Sequence, residues 1–181
     1  EGQAIDLWCY YNQADEVELF INGKSQGVRK KSNEHEYHVA WHVTYEPGEV
    51  RVVARKNGKQ VNEKIIRTAG APHHIRLTSN RNVLKANGRS LSFVTVVVVD
   101  KEGNLCPWAD QNIQFSLTGE GKIAGVDNGS PFSLERFQAN SRHAFFGKCM
   151  VVVQAGKAPS VIKLTAKGVD LQPQTIEIKS E

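Results

Sequence analysis

Apolar and polar residues alternate with a period of two along most of this chain. Val17, Leu19 and Ile21 interleave with Glu16, Glu18 and Phe20, which predicts a half-buried strand. Asn22-Gly23 follows, and both positions of a tight hairpin turn must accept positive φ, so a hairpin is expected there. The returning arm, Lys24 to Lys31, is polar enough to lie at a sheet edge. Ala4 to Tyr11 reads as an opening strand, with Ile5, Leu7 and Cys9 on one face and Trp8 and Tyr10 on the other. Tyr37, Val39, Trp41, Val43 and Tyr45 alternate with His38, Ala40, His42 and Thr44, and Trp41 is expected in a core. Pro47-Gly48 makes a turn, Val50 to Ala54 continues as strand, Asn57-Gly58 makes a second hairpin turn, and Gln60 to Arg67 returns.

Thr68-Ala69-Gly70-Ala71-Pro72 is small and turn-rich, and divides the chain into residues 1–70 and 71–181. In the second part His74 to Thr78 opens as strand. Leu91 to Val99 is almost continuously apolar and β-branched, which predicts a strand covered on both faces. Ile113, Phe115 and Leu117 mark the next strand. Residues 119–140 show little periodicity and read as a long, contact-making loop. Residues 144–154, 161–166 and 175–178 supply closing strands. No amphipathic helix of ten residues is visible. The expected fold is therefore all-β, two tandem immunoglobulin-like β-sandwich domains.

Bulk properties narrow the function. Of 181 residues, 40% are hydrophobic and 23% charged, and no apolar run is long enough to span a membrane, so no membrane association is expected. The net charge of +4 comes from residues 71–181 but is scattered, without the basic stripe of a nucleic-acid binder. The chain begins at Glu1 and its only methionine is Met150, which fits a processed end or a piece of a longer protein; the latter is expected, since a strand begins almost at once. Cys9, Cys106 and Cys149 form no CxxC pair. Cys9 is expected to pack as a small core residue; the other two are free thiols or a bridge.

Candidate chemistry is sparse. His35, His38 and His42 resemble a metal cluster on the page, but on a strand His38 and His42 stand about 13 Å apart and His35 points the other way. His73-His74 is expected as an exposed connector. Asp127-Asn128-Gly129-Ser130 offers too few oxygens for calcium and reads as a turn. No nucleophile elbow and no phosphate loop occurs, so neither catalysis nor a cofactor or metal is expected. For sugar contact, Trp108 beside Pro107 is the best aromatic. Glu135, Arg136, Phe137, Asn140 and Arg142 in the long loop are the polar and aromatic candidates for contact with sugar or with a neighbouring domain.

Two stretches carry a family resemblance. Residues 15–27, DEVELFINGKSQG, resemble a non-catalytic sandwich domain that follows the catalytic barrel in family-2 glycoside hydrolases of the β-galactosidase type. Residues 96–129, VVVVDKEGNLCPWADQNIQFSLTGEGKIAGVDNG, with the closing Leu164-Thr165-Ala166, resemble a bacterial immunoglobulin-like domain. IAGVDNG within that stretch and residues 142–149 beyond it are similar to the last domain of β-galactosidase-like enzymes of Bacteroides-type bacteria. The resemblance implies a non-catalytic C-terminal region whose partner is the missing catalytic barrel, with carbohydrate a candidate ligand and the periplasm or extracellular space the expected location. The catalytic carboxylate pair would reside in that barrel, on motifs with no counterpart here. Alternative readings are a carbohydrate-binding module or an adhesin-type structural spacer.

Overall fold

The computed structural model describes residues 2–33 and 36–181. Every regular element among them is a strand, and the chain divides into two compact units between Thr68 and Ala69.

The first unit has six strands: β1 (Ala4–Tyr10), β2 (Glu16–Ile21), β3 (Lys24–Arg29), β4 (His38–Thr44), β5 (Glu49–Lys56) and β6 (Lys59–Arg67). β1 and β4 form a two-stranded antiparallel sheet, and the others a four-stranded sheet in the order β3-β2-β5-β6. Val17 and Leu19 from one sheet meet Val39 and Trp41 from the other, with Leu7, Val43 and Val52 packed around them. The alternation seen along Glu16–Ile21 is thus the in-out period of a strand with one solvated face. Asn22-Gly23 and Asn57-Gly58 take positive φ at both positions, which aligns the turn with the right-handed twist of its strands. The Trp41 indole N–H donates to Gly27 O at 3.2 Å, so the buried ring keeps its polar end satisfied. β3 lies at an edge of its sheet. Cys9 is half-buried against the core.

The second unit has nine strands: β7 (His74–Ser79), β8 (Val83–Leu84), β9 (Leu91–Val99), β10 (Asn112–Thr118), β11 (Gly121–Asp127), β12 (Ser141–His143), β13 (Lys148–Ala155), β14 (Ser160–Gly168) and β15 (Leu171–Ser180). They run in the order β11-β13-β9-β7-β15-β14-β10-β12, with β8 beside β15. The path folds over on itself: Ile75, Val94, Val96 and Val151 from its first half share one core with Ile113, Ile162, Leu164 and Ile178 from its second. The two halves join where His74 pairs in parallel with Gln172.

Several expectations need correction. The supposed loop 119–140 begins with a strand, β11, whose period is broken by a bulge between Ile123 and Gly125; the loop proper is 128–140. The strand expected over 144–154 is interrupted by a two-residue turn at Phe146-Gly147, φ 48° and 72°. β9 is buried on both faces only from Val96 onward; Phe93 is 41% exposed and Thr95 is exposed. His73 and His74 are half-buried rather than an exposed connector, because His73 bonds Val99 O through its N–H and accepts from Gln172 N at the junction of the sheets. The three cysteines are free thiols.

Candidate functional site

The candidate residues of the long loop are arranged by Arg142. β12 pairs with β10 so that Arg142 stands opposite Ile113, whose side chain is fully buried, and paired residues share a face. The guanidinium is therefore carried inward, and Arg142 is 1% exposed. It donates from Nη1 to Glu135 O at 3.0 Å and from Nη2 to Asp127 Oδ1 at 3.2 Å and Asn128 Oδ1 at 3.3 Å. Its Nε has no hydrogen-bond partner among the described residues and lies 3.7 Å from Glu135 Oε2. The Phe137 ring lies 5.3 Å from the guanidinium carbon. Arg142 is thus corrected from a contact residue to an internal anchor of loop 128–140.

Glu135 closes the same cluster. Its Oε1 accepts from His143 N at 3.2 Å and faces His143 Nδ1 at 3.0 Å, while Ser133 Oγ donates to Oε2 at 3.1 Å. Burial pushes the Glu135 carboxyl up, but these hydrogen bonds and the nearby imidazole outweigh it and hold its pKa below the ordinary value. A glycosidase acid needs the opposite shift, so this carboxylate is suited to structure rather than proton donation. Asp127 Oδ1 also accepts from Asn128 N and Gly129 N, so this side chain caps the end of β11, and the chain turns at Pro131-Phe132.

Arg136, Phe137 and Asn140 face solvent, Phe137 being 64% exposed. Trp108, 58% exposed, sits on the turn between β9 and β10. That turn is tied to the Phe146-Gly147 hairpin by a 3.0 Å bond from Gly147 N to Ala109 O. Asn128 Nδ2 donates to His143 O at 2.9 Å, so loop 128–140 meets the β12 end of the same hairpin. Phe132 and Leu134 in that loop, and Phe146, are more exposed still or comparable, at 85%, 98% and 65%; the sequence reading missed them because nothing periodic marks an apolar residue in a loop.

On the first unit, Trp8 and Tyr10 stand exposed on the outer face of β1, and His38 stacks on Trp8 with ring centres 4.7 Å apart. His42 is paired with Asp6 at 2.8 Å. His35, the third member of the apparent histidine cluster, lies outside the described residues. Among the described residues no three His, Cys, Asp or Glu side chains are gathered to hold a metal ion. Each unit thus exposes aromatic and apolar side chains.

Residues 75–177 match the model of glycoside hydrolase family 2 C-terminal domain 5, and residues 2–62 match a domain of unknown function (DUF4982). The chain is 56% identical over 180 residues to "Beta-galactosidase BoGH2A" of Bacteroides ovatus, covering 99% of this chain and 21% of that protein. A β-glycosidase crystal structure from Bacteroides vulgatus superimposes with a TM-score of 0.93 at 32% identity, covering 99% of this chain and 23% of the other. A glycosyl hydrolase family 2 member from Bacteroides cellulosilyticus gives 0.90 at 33% identity, over 100% and 23%. The chain therefore spans about a fifth of the length of the curated relatives it matches. With more than half its residues matched by that model, the chain belongs to the glycoside hydrolase family 2 C-terminal domain 5 family.

Proposed function

We propose that this chain is the non-catalytic C-terminal region of a family 2 β-galactosidase, and that it works by packing against the catalytic barrel of that enzyme. One observation carries the reading: nearly the whole chain aligns with only 21% of a β-galactosidase. The chain has the strands of two sandwiches and no helices among its described residues from which a (β/α)₈ barrel could be built. Its exposed apolar side chains, Trp108, Phe132, Leu134 and Phe137 among them, supply surface for such packing. Breakdown of glycans by such an enzyme would place it in the periplasm or outside the cell.

The test compares the longer enzyme with and without these 181 residues. Loss of thermal stability and of soluble, active enzyme on deletion supports the reading, as does absence of turnover by the 181-residue chain on aryl galactosides. Hydrolysis by the chain alone, or a longer protein without a barrel, overturns it.

A second reading, carbohydrate binding by the chain itself, is favoured by the exposed Trp8 and Tyr10, with His38 of β4 stacked on Trp8 and tilted against Tyr10. Titration with galactosides and plant oligosaccharides, following Trp fluorescence with Trp8→Ala as control, decides it: no saturable change removes this reading.

A further inference from the structure

The first unit pairs sheets of unequal width. β1 and β4 share a core with β2 and β5, and among the described residues that core includes none from β6. Register shows what this exposes. Val50 pairs with Ile66, Val52 with Lys64 and Ala54 with Asn62, so these β6 residues share the inward face with the core. Ile66 is nevertheless 63% exposed, and Val61, the extra residue at a bulge in β6, is 53% exposed. Between them and β1 runs a groove of about 450 Å³, walled by Cys9, Tyr11, Val52, Ala54, Val61 and Ile66, with Asn62, Glu63 and Lys64 as its polar part along β6.

We propose that this groove receives an extended strand from the part of the longer enzyme outside this chain, paired to the free edge of β1; this rests on the function proposed above. Among the described residues β1 has a strand partner on one side only, so its alternate N–H and C=O groups on the groove side have no strand there to bond. A strand added there satisfies those groups and lays one apolar face on Val52, Ala54 and Ile66, which a compact ligand would not do. Strands in a sheet lie about 4.8 Å apart, so one added strand widens the smaller sheet from two to three and reaches over β5 and β6.

The edges also differ in chemistry. β3, at one end of the larger sheet, carries Lys24 and Arg29; β6, at the other, carries Lys59, Glu63, Lys64 and Arg67. Such charges discourage pairing with another chain. From Leu7 onward β1 carries none, reading LWCY into Tyr11. An edge with that composition suits permanent coverage. Nearly four fifths of the length of the matched β-galactosidase lies beyond the matched region, so a donor strand has ample chain to come from.

Cys9 is the probe, because it lines the groove and is half-buried, whereas Cys106 and Cys149 are core residues. Maleimide labelling of the native 181-residue chain should modify Cys9 and spare the other two, whose resistance reports an intact fold. In the longer enzyme Cys9 should label at least about tenfold more slowly, and amide exchange across Ala4–Tyr10 should slow with it. Equal rates in the two proteins overturn the proposal. So does concentration-dependent dimerisation of the 181-residue chain with Cys9 protected, which assigns the groove to a second copy. Ile66→Glu should leave the Tm of the 181-residue chain unchanged and lower that of the longer enzyme; no effect in the longer enzyme overturns the proposal. If deleting the 181 residues destabilises the enzyme but Cys9 of the intact enzyme labels as fast as in the 181-residue chain, this groove assignment falls and the packing role stands.

Discussion

Asp100 holds Gly70 in place: the carboxylate Oδ2 accepts from the Gly70 N–H at 2.8 Å, thirty residues back along the chain. The same carboxylate accepts from Asn104 N at 2.8 Å and Asn104 Nδ2 at 3.0 Å. One side chain, 1% exposed, thereby fastens the entry to the second unit and the turn that follows β9.

This predicts an acid-sensitive tie within the second unit. Burial alone would push the Asp100 carboxyl up, but the amides of Gly70, Asn104 and Glu102 and the Asn104 side chain bring its pKa down from 3.8 to about 2. A folded value below the unfolded one means the contribution is full above about pH 4 and is lost as pH falls through about 2. Asp100→Asn should lower the urea midpoint at pH 7, since its amide group meets N–H donors, and should flatten the midpoint's dependence between pH 4 and 2. An unchanged pH profile would refute the assignment.

Arg142 should resist conservative replacement. Its two terminal nitrogens bond three separate oxygens, and a lysine ammonium has no planar fork to match them. Arg142→Lys is expected to cost about 2–3 kcal/mol, as for hydrogen bonds to a charged group. Amide exchange should quicken across residues 128–140 while β7 and β9 keep their protection.

Asn22 does more than turn the chain. Its Nδ2 donates to Pro47 O at 3.1 Å and its Oδ1 accepts from Glu49 N at 2.8 Å, so the first hairpin is clamped to the Pro47-Gly48 turn. Asn22→Gly preserves the positive φ of 49° but removes the clamp. It should cost about 1 kcal/mol, the size of a typical hydrogen bond, in chemical denaturation of the first unit. A neutral result would mean that backbone conformation alone sets the preference for Asn here.

Gly147 and Gly129 share a positive φ near 70° but differ in surroundings. A Cβ on Gly147 would lie 2.2 Å from Cys106 O, whereas one on Gly129 would meet open space. Gly129→Ala should cost about 1 kcal/mol, the left-handed penalty alone. Gly147→Ala should cost about 3 kcal/mol or more, because the Cys106 turn must also move. Thermal denaturation of the pair measures the difference.

The contrast between hairpins shows what local sequence can convey. Asn22-Gly23 and Asn57-Gly58 were legible because both residues tolerate positive φ unaided. Phe146 adopts φ 48° with no such tolerance; the bonds from Gly147 N to Ala109 O and from Val98 N to Gly147 O impose the turn from outside. β11 was hidden because its bulge moves Val126 out of step with Ile123. Loop 128–140 was recognisable as a contact segment by its composition, but β12 has only three residues, too few for a period to reveal that Arg142 points inward. That direction is set by pairing with Ile113, a long-range relation.

The parallel pairing of His74 with Gln172 carries a consequence for synthesis of the chain. The first strand of the second unit finds part of its bonding in the last, about a hundred residues later, so its contact order is high. Until β15 leaves the ribosome, β7 lacks that neighbour and the core lacks Leu171, Ile176 and Ile178. The unit must close as one late event, and a truncation that removes β15 should yield an aggregating product instead of a slightly weakened domain.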